Sequence, residues 1–182
     1  MLVRIRKRGV QMEKADDPFA LLGACHERIR SFSALALRML HARGAAPEDV
    51  ADAAGRVHLY FTVGLPLHAA DEDAELTELI QSLVPPDPVS RALDAMQREH
   101  REIEAWLEVL APTWAGLATG ALDVEGVRAA TLPPTEALAR LFDRHLLNEE
   151  SVIFEFGREN LDADALAALT GGIRARRQSS QP

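Results

Sequence analysis

The chain has 182 residues, a length that suits one domain with a sizeable core, and its apolar (47%) and charged (26%) residues are in the proportions of a globular protein. Aromatic residues make up only 5%, which favours helices over sheets. The net charge of −8 argues against a nucleic-acid-binding surface, the lack of a long apolar run against a membrane span, and the single cysteine against an internal disulfide.

Residues 1–16 are predicted to form a flexible basic arm ahead of the first helix. Residues 1–8 are basic but lack the apolar core of a secretion signal, so we expect a cytoplasmic protein. Met12 lies just before the first helix signal and is an alternative start of the protein.

The first two helices are predicted from their start signals and from an apolar period of three to four residues. An Asp-Pro pair at 17–18 starts the first helix, which is expected to end near Gly44. The second helix is expected to start near Pro47 and to be kinked by Gly64 and Pro66. Their buried faces are predicted to comprise Phe19, Leu22, His26, Ile29, Ser33, Leu37 and Leu40, and Phe61, Leu65, His68, Glu72, Leu76, Leu79 and Leu83.

The second half of the chain predicts two more long helices and a short fifth one. The third helix is expected to end or bend at Pro112, and residues 119–134 are expected to form a long connection. The fourth helix is expected to start near Thr135 and to end before Gly157. The fifth is expected to run over residues 162–170 and to stop at the glycines that follow.

These elements predict an all-α protein, an up-and-down four-helix bundle with a short C-terminal fifth helix. We expect the bundle to occupy residues 17–172 and residues 173–182 to form a flexible polar tail.

Each long helix carries one histidine inside its apolar stripe, and two of these histidines have a glutamate four residues later. Residues four apart on a helix point in nearly the same direction, so each pair offers a nitrogen and an oxygen to one point. A single histidine on an apolar face is more often a hydrogen-bonded core residue, but four at one level with two carboxylates favour a metal site. The predicted ligands are His26, His68, Glu72, His100, His145 and Glu149.

Four imidazoles and two carboxylates are too many for one tetrahedral ion and suit two ions. Mixed nitrogen and oxygen ligation fits iron best and leaves manganese or zinc possible. A small buried site with open coordination positions is expected to bind a diatomic molecule. Weaker ligand candidates are Asp71, Glu104 and Glu150, and the residues interpreted as structural are Cys25, His41, His58, Tyr60, Trp106 and Trp114.

The four histidine motifs together resemble the hemerythrin-like family, also called the HHE cation-binding domain family. The motifs are Ala24-Cys25-His26-Glu27-Arg28, Leu65-Pro66-Leu67-His68-Ala69-Ala70-Asp71-Glu72, Glu99-His100-Arg101-Glu102-Ile103 and Asp143-Arg144-His145-Leu146-Leu147-Asn148-Glu149-Glu150. The resemblance covers roughly residues 17–175 and implies a four-helix bundle with a non-haem di-iron centre held by the same six residues. It further implies a protein that carries or stores oxygen, or senses oxygen, nitric oxide, redox state or iron.

Some positions depart from the family pattern. Oxygen-carrying members have a histidine where this chain has Glu104 and an aspartate where it has Glu150, and many relatives have Phe-Pro where Leu76-Thr77 and Ile153-Phe154 stand here. The alternative function is a di-iron enzyme that acts as an oxidase or consumes peroxide or nitric oxide. Ferritin-like enzymes use mainly carboxylates with a Glu-x-x-His spacing, so the His-x-x-x-Glu spacing favours binding or sensing. A third possibility is a metal-free helical interaction module.

Overall fold

The described part of the chain, residues 17–179 of a computed structural model, consists of five helices and contains no strand. The predicted all-α bundle with a C-terminal fifth helix is confirmed. The predicted arm over residues 1–16 lies outside the described residues. The helices are α1 (Pro18–His41), α2 (residues 47–82), α3 (Asp87–Ala118), α4 (residues 124–160) and α5 (Ala163–Ser179).

Helix α1 begins and ends close to where the sequence predicts. The Asp17 side chain accepts a hydrogen bond of 2.9 Å from the Phe19 N–H, and Pro18 occupies the first turn. The helix ends at His41, and Gly44 follows with a φ of 66°, in the left-handed region that glycine adopts at low cost.

Helix α2 passes through Pro66 by way of a π-helical turn, Tyr60–Gly64, in which the Leu65 N–H bonds to the Tyr60 carbonyl. This wider turn lies where the proline cannot donate a hydrogen bond. A second π-helical turn, Asp71–Leu76, adds a residue to the helix and rotates the face beyond it. The prediction that Leu79 and Leu83 continue the buried face is therefore wrong: Ile80 is fully buried, Leu79 is half-buried and Leu83 is exposed.

The prolines of α3 and α4 do not end these helices, and the predicted long connection is wrong. Helix α3 continues past Pro112 because Trp114 and Leu117 remain in the core. Helix α4 begins at Val124, with Asp123 capping it, and runs through the proline pair at 133–134. A helical proline costs about 3 kcal/mol, which burial of two or three large apolar side chains outweighs.

Helix α4 also continues past Gly157 to Asn160. Gly157 is buried beneath the Phe19 ring, and a Cβ there would clash with that ring. Glycine at this position therefore permits close packing and does not mark the end of the helix. One further π-helical turn, Glu149–Ile153, interrupts the α-helical hydrogen bonding of α4.

Helix α5 runs through Gly171 and Gly172 to Ser179, so the expected stop at residue 170 is wrong, and the expected flexible tail is helical up to residue 179. The physical reason is packing that the local glycine signal does not reveal. Ile173 is fully buried, and Arg176 forms a 2.7 Å ion pair with the buried Asp71 of α2. The domain limits themselves stay a prediction.

The core consists of two apolar clusters with a polar layer between them. One cluster includes Ile29 and the other includes Leu22. On each of the four bundle helices, buried polar residues lie between the two clusters, as His26 lies between Leu22 and Ile29 on α1. This alternation places the polar side chains of four helices at one height. Within residues 17–179, no helix is long and apolar enough to cross a membrane.

Candidate metal centre

The six predicted ligand side chains meet in the polar layer, and none is more than 7% exposed. Their donor atoms form two groups, and the atoms of each group lie within 4.8 Å of one another. Both glutamates belong to both groups, which are His26, His68, Glu72 and Glu149 on one side and Glu72, His100, His145 and Glu149 on the other.

Glu72 turns one carboxylate oxygen toward each group. Its Oε1 lies 3.4 Å from His68 Nε2 and 3.5 Å from His26 Nε2. Its Oε2 lies 3.4 Å from His100 Nε2 on the other side.

Glu149 is arranged in the same way. Its Oε2 lies 3.2 Å from His26 Nε2, and its Oε1 lies 3.0 Å from His145 Nε2 and 3.9 Å from His100 Nε2. Each carboxylate thus offers one oxygen to each histidine pair, which is the arrangement of a bridging ligand.

Three of the four histidines are oriented by a second carboxylate on the outer side of the ring. The Nδ1 contacts are His26 with Glu150 at 2.8 Å, His100 with Asp73 at 3.0 Å and His145 with Glu99 at 3.2 Å. A carboxylate that accepts the Nδ1–H directs the Nε2 lone pair toward the centre, as is usual for metal-binding histidines. Within residues 17–179, neither ring nitrogen of His68 has a hydrogen-bond partner.

Two of the outer carboxylates are themselves held by arginines. Arg30 donates to both oxygens of Glu150, at 3.0 and 2.9 Å, and the Arg144 Nε donates to Glu99 at 2.9 Å. These contacts restrict the carboxylates and, through them, the imidazole rings.

The hemerythrin HHE cation-binding domain family matches residues 17–156, more than two thirds of the chain. The chain belongs to this family. A Haemophilus influenzae protein described as uncharacterized is 26% identical over 168 residues, which cover 90% of this chain and 91% of that protein. The predicted resemblance is confirmed, and helix α5 lies beyond the matched residues.

The sequence prediction missed Asp73 and Glu99 and ranked Glu150 only as a weak ligand candidate. All three could have been identified from the sequence of this HHE domain, because each is an acidic residue adjacent to a predicted ligand. Neighbouring residues on a helix point about 100° apart, so each of these side chains faces the next helix instead of the centre.

The remaining candidates lie outside the two donor groups. Asp71 is buried but pairs with Arg176 and Arg177, and Glu104 is exposed. Of the residues interpreted as structural, Cys25, His41 and His58 belong to neither donor group. The Tyr60 ring stacks on Phe32, with ring centroids 4.2 Å apart.

Burial and the central glutamates act in opposite directions on the histidine pKa values. Burial lowers the pKa of His26, but Glu149 and Glu72 outweigh it and raise the pKa to about 10. At His100 burial again lowers the pKa, and the surrounding carboxylates, Asp73 among them, raise it to about 10. At His68 burial prevails over the charges of Glu72 and Glu149 and lowers the pKa.

The glutamates respond in the opposite sense. Burial raises the pKa of Glu72, yet the surrounding imidazoles hold that pKa well below its ordinary value. The pKa of Glu149 is also lowered, because the imidazoles outweigh burial and the charge of Glu72. Both carboxylates are therefore anionic at neutral pH, and either protons on the imidazoles or a cation must balance their charge.

The donor atoms of this HHE domain fit a cation. Each buried polar atom without a hydrogen bond costs about 1–3 kcal/mol, so a group of them at one point indicates a missing partner. Imidazole nitrogens and carboxylate oxygens are ligands of iron, manganese and zinc. The buried atoms without hydrogen bonds here are His26 Nε2, both ring nitrogens of His68, His100 Nε2 and the carboxylate oxygens of Glu72 and Glu149.

A cavity of about 220 Å³ between α2 and α3 reaches the centre. Its lining includes Leu65, Ile103 and Glu104 together with three of the four histidines, His68, His100 and His145. A small molecule can therefore approach the donor atoms from this side.

Proposed function

We propose that this HHE domain holds two iron ions and binds or senses oxygen or nitric oxide, or responds to redox state or iron. The observation that carries the proposal is the bridging arrangement of Glu72 and Glu149, each with one oxygen toward each histidine pair. One ion would be held by His26 and His68, the other by His100 and His145, and both glutamates would be shared.

Iron is proposed because the donor set mixes nitrogen and oxygen and contains no thiolate. Manganese or zinc would fit the same donors less specifically. Bound iron would supply reversible one-electron chemistry and open coordination positions for a small ligand.

The protein's part in this function is to position the donors and to limit access to them. The outer carboxylates orient three imidazoles, and the apolar clusters above and below the layer exclude water. The cavity walled by Leu65 and Ile103 would admit a small neutral molecule to the histidine side of the centre. A diatomic ligand fits this volume and its largely apolar walls.

The cytoplasmic location and the absence of nucleic-acid and membrane partners stay predictions from composition.

Metal analysis and the visible spectrum of the aerobically purified protein test the proposal. We expect about two iron ions per chain with oxo-bridge absorption bands. Glu149→Ala should lower both iron content and thermal stability, because cation binding is linked to folding. His41→Ala is the matched control, since His41 is exposed and outside the centre. Protein that retains no iron after anaerobic loading with Fe²⁺ would refute the proposal, and steady turnover of peroxide or nitric oxide would favour the enzyme instead.

A further inference from the structure

We infer that the two cation positions differ in affinity. The position between His100 and His145 fills first and binds its ion more tightly, and His68 is the weaker ligand of the other position. The inference rests on the proposed two-ion centre and adds the order in which its positions fill.

The first observation is the distribution of the outer carboxylates. Both histidines of one pair have such a partner, His100 at 3.0 Å and His145 at 3.2 Å. In the other pair only His26 has one, at 2.8 Å, while neither nitrogen of His68 has a hydrogen-bond partner within residues 17–179. One position is thus built from two oriented imidazoles and the other from one.

The second observation concerns the freedom of each ring. His26 stacks on Phe154, with ring centroids 5.1 Å apart and an angle of 24° between the planes. His68 borders the cavity of about 220 Å³, and its Nε2 lies 3.4 Å from Glu72. His100 and His145 border the same cavity, so the cavity alone does not distinguish the two positions. Of these three rings, only that of His68 has no outer hydrogen bond that resists its rotation within residues 17–179.

These differences set the expected size of the effect. Loss of an outer partner of a metal-binding histidine lowers cation affinity about 10–100-fold. The glutamates are common to both positions and do not distinguish them, although a first ion will repel a second. The dissociation constants of the two positions should therefore differ by at least about tenfold.

A functional consequence follows for the proposed response to iron. Protein with one ion per chain would hold it between His100 and His145, and the His26 and His68 pair would fill only at a higher iron concentration. The occupancy of the second position would then change with the supply of iron.

The order of filling can be measured on the full chain, stripped of metal and crystallised with one equivalent of Co²⁺. Anomalous difference density at the cobalt edge reports the occupancy of each position. We expect a strong peak between His100 and His145 and a weak one between His26 and His68. Equal peaks, or the reverse order, would overturn the inference and leave the two-ion centre intact, whereas failure to retain any cobalt would overturn both.

Two variants test the cause of the difference. Glu99→Gln removes the anionic partner of His145 and should bring the two peaks closer to equality, whereas Glu102→Gln, an exposed residue with the same charge loss on α3, should leave them unchanged. His68→Ala should retain about one Co²⁺ per chain by dialysis and elemental analysis, because the tighter position keeps its ligands. An unchanged peak ratio in Glu99→Gln, or a complete loss of cobalt in folded His68→Ala, would contradict the inference.

Discussion

The contact between helix α5 and helix α2, which carries two of the predicted ligands, provides a quantitative prediction for Arg176→Ala. Asp71 precedes the predicted ligand Glu72, is fully buried, and pairs with the Arg176 Nε at 2.7 Å and with Arg177 at 3.4 Å. Removal of one partner from a fully buried ion pair costs about 3–5 kcal/mol.

Two features of the structure reduce that figure. Arg176 is 27% exposed, and Arg177 stays close enough to Asp71 to compensate part of its charge. In addition, burial raises the pKa of Asp71 despite its arginines, so a carboxyl that loses Arg176 can take up a proton. We therefore expect Arg176→Ala to lower the free energy of unfolding by about 2 kcal/mol, which corresponds to about 4–8 °C in Tm for a chain of this size.

The assay is urea and thermal denaturation of metal-free protein at neutral pH, followed by circular dichroism. The Arg176 guanidinium also lies 2.6 Å from Glu75, which is 31% exposed. In an Asp71→Asn background the arginine substitution should still cost less, because the buried charge is gone and only the partly exposed Glu75 loses its partner. Arg91→Ala is the control: that side chain is 70% exposed and contacts only Asp87, at 3.7 Å, among its ion pairs within residues 17–179. Equal destabilisation by Arg176→Ala and Arg91→Ala would refute the reasoning.

Two further predictions concern the metal-free protein. Burial lowers the pKa of His26 and of His100, but the surrounding carboxylates outweigh it and raise both pKa values from 6.5 to about 10. The two imidazolium ions therefore stabilise the fold fully below about pH 6.5, and this contribution is lost as the pH rises through 10. The urea midpoint measured with chelator should therefore fall over this range, and a midpoint that rises would contradict the assignment. Gly157→Ala should lower the free energy of unfolding by about 1–3 kcal/mol, because the added methyl group meets the Phe19 ring. Gly171→Ala is the control: a Cβ there meets nothing within 4 Å, so the free energy of unfolding should rise by up to about 1 kcal/mol. Equal midpoints of the two variants in urea would contradict the packing argument.

The sequence predicted the helices and the convergence of the six proposed ligand residues because both depend on one periodicity. A residue such as His100 lies inside an apolar stripe, and the stripe fixes which way it points once the helix is formed. The common height of these residues in the bundle was predictable for the same reason, because apolar residues precede and follow them in every stripe.

The errors arose where tertiary packing overrides a local rule. Prolines and glycines such as Pro112 and Gly157 end helices in isolation, but here buried neighbours stabilise the continued helix by more than the local cost. The π-helical turns were also missed, because an inserted residue is visible in the hydrogen bonds and not in the composition. The Thr77 hydroxyl and N–H both donate to the Glu72 carbonyl, which stabilises one such turn next to a ligand.

Each outer carboxylate, the one that contacts the Nδ1 of a histidine, comes from a neighbouring helix. The positions of these residues explain why His68 has no such partner within residues 17–179. Glu150 of α4 contacts His26 of α1, Asp73 of α2 contacts His100 of α3, and Glu99 of α3 contacts His145 of α4.

Each of these acids is adjacent in sequence to a proposed ligand of its own helix, so the missing fourth contact, from α1 to His68, would come from a residue next to His26. Those residues are Cys25, which carries no carboxylate, and Glu27, which is 75% exposed and pairs with Arg30 at 2.8 Å. Neither supplies an outer carboxylate to His68, and the inequality of the two positions therefore follows from two side chains on α1.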